Sequence, residues 1–208
     1  TPGGEITLSF ANATETTIDI NYESTVSIAG FQFDVEGVTL TGATDGDMDI
    51  YEGNNTVIAF SMSGATLPAG SGSLATLEFL AELDGATIGL SEVIVGQNSE
   101  YQLAVSGPDD AAIAACTNFD GDDLCDIDVD DDDDNDGSAD ADDSDDNNAN
   151  VCSDDDGDSC DDCTNGQHDT SNDGADNDED GWCNDGDPWD DCDNPTGIND
   201  NPLDECGN

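Results

Sequence analysis

Aspartates at alternate positions, followed by glycine, are the residues of this chain whose types and spacing indicate chemistry. The stretch Asp132-x-Asp134-x-Asp136-Gly137 supplies carboxylate oxygens at every second residue and then a sharp turn. This is the pattern of a calcium loop. Four related loops bring the total to five between residues 118 and 187, and in chain order the fourth and fifth overlap at Asp176. The predicted metal ligands are Asn118, Asp120, Asp122 and Asp126; Asp132, Asp134, Asp136, Asp140 and Asp143; Asp154, Asp156, Asp158 and Asp161; Asp169, Ser171 and Asp173; and Asp176, Asp178, Asp180, Asp185 and Asp187.

The type of ligand favours Ca²⁺, with several ions bound. Carboxylate oxygens are hard ligands, which suit Ca²⁺ or Mg²⁺, and a flexible loop suits Ca²⁺ better than the tight octahedron that Mg²⁺ requires. Zinc is the competing prediction, because the chain has eight cysteines. Only Cys160 and Cys163 form a C-x-x-C pair, however, and the sequence lacks the second pair of a zinc finger.

The charge of the chain points to the same need for cations. Its sequence contains 53 Asp and Glu residues and no Lys or Arg, for a net charge of −53. Residues 116–208 hold 36 of these carboxylates, and a segment so charged repels itself and normally stays disordered. We expect an external cation to fold it, the alternative being an unstructured acidic tail. His168 is the one histidine, and we expect it to be solvated.

All the cysteines lie in the same acidic segment. An even number in a chain of this composition predicts disulfides and an extracellular or cell-surface protein. Many pairings are possible, and we expect cysteines to pair in sequence order. The cysteines are Cys116, Cys125, Cys152, Cys160, Cys163, Cys183, Cys192 and Cys206. The shift in composition predicts two domains, at residues 1–115 and 116–208.

Residues 1–115 have the pattern of a β-sandwich. Short runs alternate apolar with polar residues, as in 6–10, 18–22, 31–35, 57–62, 74–80, 88–95 and 101–105, and turn residues separate them. Seven or more strands without a helical period predict two packed sheets. Phe31 and Phe33 share one face of a strand, and we expect them in the core.

Both parts resemble known families. Residues 18–22, 28–35, 72–79 and 88–93 resemble strands of cohesin-type modules, and the likeness covers about residues 4–106. It implies a jelly-roll sandwich that binds a protein partner. Residues 120–126, 156–163 and 178–185 resemble thrombospondin type 3 repeats, over about residues 117–193. That likeness implies an irregular, disulfide-rich domain wrapped around calcium, although loop lengths are uneven and the family's Asn-Cys-Pro step is missing.

These features favour a structural or adhesive protein, a subunit of a surface fibre or layer that assembles head to tail. The alternative is a cohesin-like module that recruits a protein or glycan partner. Nucleic acid is excluded as a partner because phosphate contacts need basic side chains, and no apolar run is long enough to span a membrane. We predict no enzyme, although the carboxylates of Asp45, Asp47 and Asp49 keep a glycosidase as a third hypothesis.

Overall fold

The computed structural model describes residues 3–44, 48–98, 101–127, 129–177, 179 and 181–187. The chain divides into two compact units, the first ending at Thr117 and the second beginning at Asn118. Within the described residues, no helix is long and apolar enough to cross a membrane.

The first unit is an all-β sandwich of two five-stranded sheets. Its strands are β1 Glu5–Ala11, β2 Thr17–Ser24, β3 Gly30–Glu36, β4 Leu40–Thr44, β5 Asp49–Gly53, β6 Thr56–Phe60, β7 Gly70–Phe79, β8 Ala86–Gly96, β9 Ala104–Ser106 and β10 Ala111–Ile113. One sheet has the order β4-β7-β2-β1-β9 and the other the order β10-β8-β3-β6-β5. Neighbouring strands are antiparallel except β1 and β9, which run parallel. The all-β prediction is confirmed.

The core lies between the two sheets and follows the predicted alternation. In β2, Ile18 and Ile20 are buried, and in β3 Phe31 and Phe33 are buried with stacked rings whose centroids lie 5.8 Å apart. Each of these pairs is two residues apart, so both side chains point to the same face of their sheet. The prediction that the two phenylalanines belong to the core is therefore confirmed.

Three strands lie outside the predicted runs. Strand β4 contains Gly42, β5 has an exposed outer edge, and β10 has only three residues, so none shows a strong alternation of apolar and polar residues. Asp49, which we expected in a loop with Asp45 and Asp47, is instead the first residue of β5. Asp45 and Asp47 lie outside the described residues. The expected loop position is therefore wrong for Asp49.

The second unit has no helix or strand among its described residues, and turns and bends follow one another. Disulfides join Cys152 to Cys163 and Cys160 to Cys183. The expected sequence-order pairing is wrong for these four cysteines, because the two bridges interleave. Cys116 and Cys125 are also disulfide-bonded, whereas Cys192 and Cys206 lie outside the described residues.

Candidate metal centres

The aspartate loops of the second unit fold through local hydrogen bonds from backbone N–H groups to side-chain oxygens. The Asp134 Oδ1 accepts from the Asp136 N–H at 3.2 Å, and the Asp136 Oδ1 accepts from the Ser138 N–H at 2.7 Å. Aspartate favours such turns because its short side chain reaches the backbone two residues on. Asp134 therefore helps to fix Asp136, and Asp136 helps to fix Ser138.

The glycine that ends each long pattern has two roles. The N–H of Gly137 donates to Asp132 Oδ2 at 3.1 Å, and the N–H of Gly181 donates to Asp176 Oδ2 at 3.0 Å. Both glycines have positive φ, at 97° and 92°, a region in which other residues are strained. The glycine thus reverses the chain while tying it to the first aspartate of the loop.

The loop from Asp132 to Asp143 leaves one oxygen of several carboxylates without a hydrogen bond. Asp132, Asp134, Asp136 and Asp143 each use one oxygen to accept a backbone N–H. The other oxygen of each is buried and has no hydrogen-bond partner. Four of the five ligands predicted for this loop therefore present a buried oxygen that is available to coordinate a cation, and the chain has no Lys or Arg to pair with it.

Carboxylate oxygens that are buried and lack a hydrogen bond also occur elsewhere in the second unit. Among the described residues, further buried carboxylate oxygens without a hydrogen-bond partner belong to Asp130, Asp133, Asp162 and Asp173. Of these, only Asp173 is in the predicted ligand set. The others lie outside the D-x-D-x-D-G pattern, so spacing alone did not identify them.

Asp130 lies where two groups of carboxylates meet. Its oxygens lie within 4.8 Å of those of Asp120 and Asp122 in one group, and of Asp126 and Asp133 in another. Three predicted ligands of the first loop are thus brought together by a residue in the run Asp130 to Asp134, which by sequence alone suited an acidic tail. Asn118 instead braces its own loop, since its Oδ1 accepts from the Gly121 N–H at 2.7 Å.

Burial raises the pKa of carboxyl groups at these positions. The pKa of Asp133 is raised to about 6, first by burial and then by repulsion from Asp140 and Asp126. Burial likewise raises the pKa values of Asp134 and Asp136 above their usual range. Because neighbouring carboxylates disfavour one another's charge, the fold holds a concentration of negative charge that a bound cation would relieve.

A further pair of carboxylates lies beside a disulfide. Asp158 and Asp173 form one group with the sulfur atoms of Cys160 and Cys183, within 4.8 Å of one another. These sulfurs are joined to each other, so the carboxylates are the available ligands. Burial raises the pKa of both Asp158 and Asp173. The third and fourth predicted loops therefore meet at a site that the Cys160–Cys183 bridge fixes.

Other predicted ligands hold the backbone. Asp154 accepts N–H groups of Gly157 and Ser159 through its two oxygens. Both oxygens of Asp161 accept the Cys152 N–H, at 2.9 and 3.1 Å. These carboxylates shape the third loop.

The remaining predicted ligands are placed as follows. Asp140 accepts from the Asp133 N–H at 2.9 Å, and Asp156 from the Asp158 N–H at 3.3 Å. Asp169 accepts two hydrogen bonds from Ser171, and these lower the pKa of its carboxyl group. Asp187 is buried and Asp185 is exposed, whereas Asp178 and Asp180 lie outside the described residues.

The donor set fits Ca²⁺. The available ligand atoms are carboxylate oxygens on irregular loops, and Ca²⁺ accepts six to eight oxygens in flexible geometry. Four residues offer a buried oxygen without a hydrogen bond in one loop, namely Asp132, Asp134, Asp136 and Asp143. The carboxylates that lie close to one another form three further sets: Asp120, Asp122 and Asp130; Asp126, Asp130 and Asp133; and Asp158 and Asp173. A bound ion would supply positive charge there, and the chain itself would supply the turns that orient the oxygens.

The β-sandwich carries a separate feature, an apolar row on the outer face of its second sheet. Ile94, Gln32, Ile58 and Tyr51 lie directly opposite one another across β8, β3, β6 and β5. Ile94, Ile58 and Tyr51 are exposed, and the Tyr51 ring stacks on that of Phe60 at 5.4 Å between centroids. The row gives one sheet an outward face that is unusually apolar for this chain.

A surface concavity of about 450 Å³ adjoins this row. Gly30 and Gly96, paired across β3 and β8, lie in its lining, and Phe60 and Tyr101 also line it. None of the residues that line it carries a charge. We name the exposed side chains Tyr51, Ile58, Phe60, Ile94 and Tyr101 the apolar face.

Comparison with known proteins shows similarity of fold alone. No protein-family model and no curated protein matches the chain. Among solved structures, a chain of a type I cohesin–dockerin complex from Clostridium thermocellum matches with a TM-score of 0.44 and 11% identity, over 54% of this chain and 94% of that one. A non-cellulosomal cohesin from Archaeoglobus fulgidus matches with a TM-score of 0.40 and 12% identity, over 53% and 92%.

A cohesin module of a family 33 glycoside hydrolase from Clostridium perfringens matches with a TM-score of 0.38 and 14% identity, over 55% of this chain and 99% of that one. The chain is thus similar to cohesin modules. At these identities and scores, the similarity assigns neither an activity nor a partner. The resemblance to thrombospondin type 3 repeats stays a prediction.

Proposed function

We propose that the second unit binds several Ca²⁺ ions and folds around them, in an extracellular structural or adhesive protein. The observation that carries this proposal is the set of buried carboxylate oxygens without hydrogen-bond partners, in a chain without Lys or Arg. Leaving such an oxygen buried and unsatisfied costs about 1–3 kcal/mol or more when it is charged. Coordination to Ca²⁺ removes this cost and cancels the repulsion between neighbouring carboxylates.

The loop from Asp132 to Asp143 provides the test. We expect Asp136→Asn to weaken calcium binding at one site by at least about tenfold, because Asn keeps the shape but removes the charge of a buried ligand. The matched control is Asp142→Asn, which removes the same charge from an exposed residue of the same loop. Calorimetric titration of the calcium-free protein measures both affinities. Equal calcium binding by the two variants would contradict the proposal.

We further propose that copies assemble head to tail into a fibre or surface layer. A net charge of −53 keeps copies apart unless cations neutralise it, so we expect assembly to depend on calcium. The sandwich has a shape that suits a linear array. The N–H of Gly3 donates a hydrogen bond to the Gln102 carbonyl oxygen near the last residue of β8, and Ile113 pairs with Ala86, its first residue. An eleven-residue strand is roughly 35 Å long, which separates these two points. The chain therefore enters and leaves this unit at opposite ends.

The apolar face favours a second function, the binding of a protein partner. The centre of a protein interface is typically depleted of charged residues and enriched in aromatic ones, and the apolar face has both properties. Two carboxylates, Asp34 on β3 and Asp49 on β5, lie two residues along the strand from Gln32 and Tyr51 of the row. We therefore propose a partner with an apolar centre and a basic rim.

We expect Phe60→Ser to reduce partner binding at least tenfold, because exposed aromatic residues dominate such interfaces. Leu83→Ser, an exposed apolar residue beyond the apolar face, is the control. Each variant is first used as a bait to capture proteins secreted by the source cells. The affinity of each variant for each purified captured protein is then measured. Equal affinity of the two variants would contradict the proposal. Binding of purified polysaccharides that Phe60→Ser abolishes would instead assign the apolar face to a glycan.

A further inference from the structure

His168, which we expected to be solvated, is partly exposed and lies beside two carboxylates of the second unit. Its Nε2 lies 3.2 Å from the Asp155 Oδ2 and 3.6 Å from the Asp162 Oδ2. Its side chain is only 29% exposed. The backbone holds the histidine in place, because its N–H donates to the Asp136 carbonyl oxygen at 2.8 Å. One imidazole nitrogen and two carboxylates thus converge, all within 4.8 Å of one another.

The 3.2 Å contact with Asp155 is at the long limit of a hydrogen bond, and the 3.6 Å contact with Asp162 exceeds that limit. An N–H group of a charged histidine usually lies about 2.7–2.9 Å from a carboxylate oxygen. The ligands of a tetrahedral zinc ion lie farther apart, at about 3.3 Å, because each metal–ligand bond is about 2.0 Å long. The observed 3.2 and 3.6 Å are close to this second value. The spacing therefore suits an imidazole nitrogen and two carboxylates that share one small ion.

Asp162 supplies an independent observation. Its side chain is fully buried, and its Oδ1 has no hydrogen-bond partner among the described residues. The backbone fixes this residue, since its N–H donates to the Ser153 carbonyl at 2.7 Å and its carbonyl accepts from the Asp169 N–H at 2.9 Å. Its Oδ2 also accepts from the Asp155 N–H at 2.8 Å. A rigid, buried carboxylate beside an imidazole is a preorganised pair of ligands.

We propose that His168, Asp155 and Asp162 bind a divalent transition-metal ion such as Zn²⁺. The reason is the donor set, because imidazole nitrogen suits zinc, copper and nickel, whereas calcium prefers oxygen. Three protein ligands leave room for water at a fourth position. This site differs from the aspartate loops in the class of ion that it selects. It involves none of the cysteines.

The single histidine makes the test direct, because the chain gives one set of imidazole proton signals in NMR. The full protein is kept in excess Ca²⁺, which occupies oxygen sites, and Zn²⁺ is added as its chloride. We expect the imidazole signals to move to new positions that are complete at one equivalent. Imidazole signals that stay unchanged when Zn²⁺ is in excess would overturn the proposal.

Variants show whether the side chains of this site bind Zn²⁺ themselves or whether any loss of charge in the second unit has the same effect. We expect His168→Gln to weaken Zn²⁺ binding at least tenfold by calorimetry. Asp155→Asn should also weaken it, whereas Asp123→Asn, an exposed residue with the same change of charge, should not. Asp162 is left intact because its charge also acts on Asp158 and Asp173. Zn²⁺ binding of equal affinity in wild type and His168→Gln would contradict the proposal.

Discussion

Removal of calcium by a chelator is expected to unfold the second unit and to leave the β-sandwich folded. In the part of the second unit that the structure describes, no extended apolar core is found, and Leu124, Ile127 and Val129 are exposed. Each ion at a hundred times its dissociation constant stabilises the folded state by about 2.7 kcal/mol, so the loss of several ions is a large effect. The sandwich keeps its own buried core and does not depend on the carboxylates.

Hydrogen exchange measured by mass spectrometry, with and without chelator, tests this expectation. Peptides from residues 129–177 should lose protection, whereas those of strands β2, β3 and β8 should keep it. Sodium chloride at 1 M is the control, because it screens charge over about 3 Å but does not satisfy buried oxygens. Protection of residues 129–177 that survives the chelator, or that salt alone restores, would contradict a fold built on coordinated calcium.

The second large effect is expected from Gly174→Ala. A methyl group at Gly174 would overlap the sulfur atoms of both Cys160 and Cys183. We expect this bridge to fail to form, with the loss of the about 2–4 kcal/mol that a disulfide contributes. The calcium site at Asp158 and Asp173 should be lost with it, because the bridge lies against both carboxylates.

Gly157→Ala is the matched control for this substitution. Gly157 has positive φ at 77° but no atom within 4 Å of the position that a methyl group would take, so it should cost only about 1 kcal/mol of backbone strain. Thiol titration under denaturing conditions and calcium titration measure the two variants. Two free thiols are expected in Gly174→Ala and none in Gly157→Ala. Equal thiol counts and calcium affinities would show that the role assigned to Gly174 is wrong.

The sequence predicted the sandwich well where one face of a strand is buried. The alternation of Ile18 with Ile20, and of Phe31 with Phe33, follows directly from packing two sheets around one core. Strands β4, β5 and β10 lie at or near sheet edges, where one partner strand is missing and burial imposes less pattern. Their position could therefore not be read from periodicity.

The aspartate loops were predictable in kind and less so in detail. Position six of a loop requires glycine at Gly137 and Gly181 because φ is positive there, but Gly174 is required because a disulfide lies against it. Asp130 and Asp162 became candidate ligands only in three dimensions, because chain reversal brings distant residues to them. The pairing of Cys152 with Cys163 likewise depends on the path of the loops, which local spacing does not encode.

Crystals of the protein grown in calcium, with anomalous diffraction measured at a long wavelength, test the central claim most directly. The account predicts anomalous peaks about 2.3–2.6 Å from the buried oxygens of Asp132, Asp134 and Asp136, and further peaks beside Asp130 and Asp173. The account would be contradicted if these oxygens showed no anomalous peak and were hydrogen-bonded instead to water or to a protonated neighbouring carboxyl group.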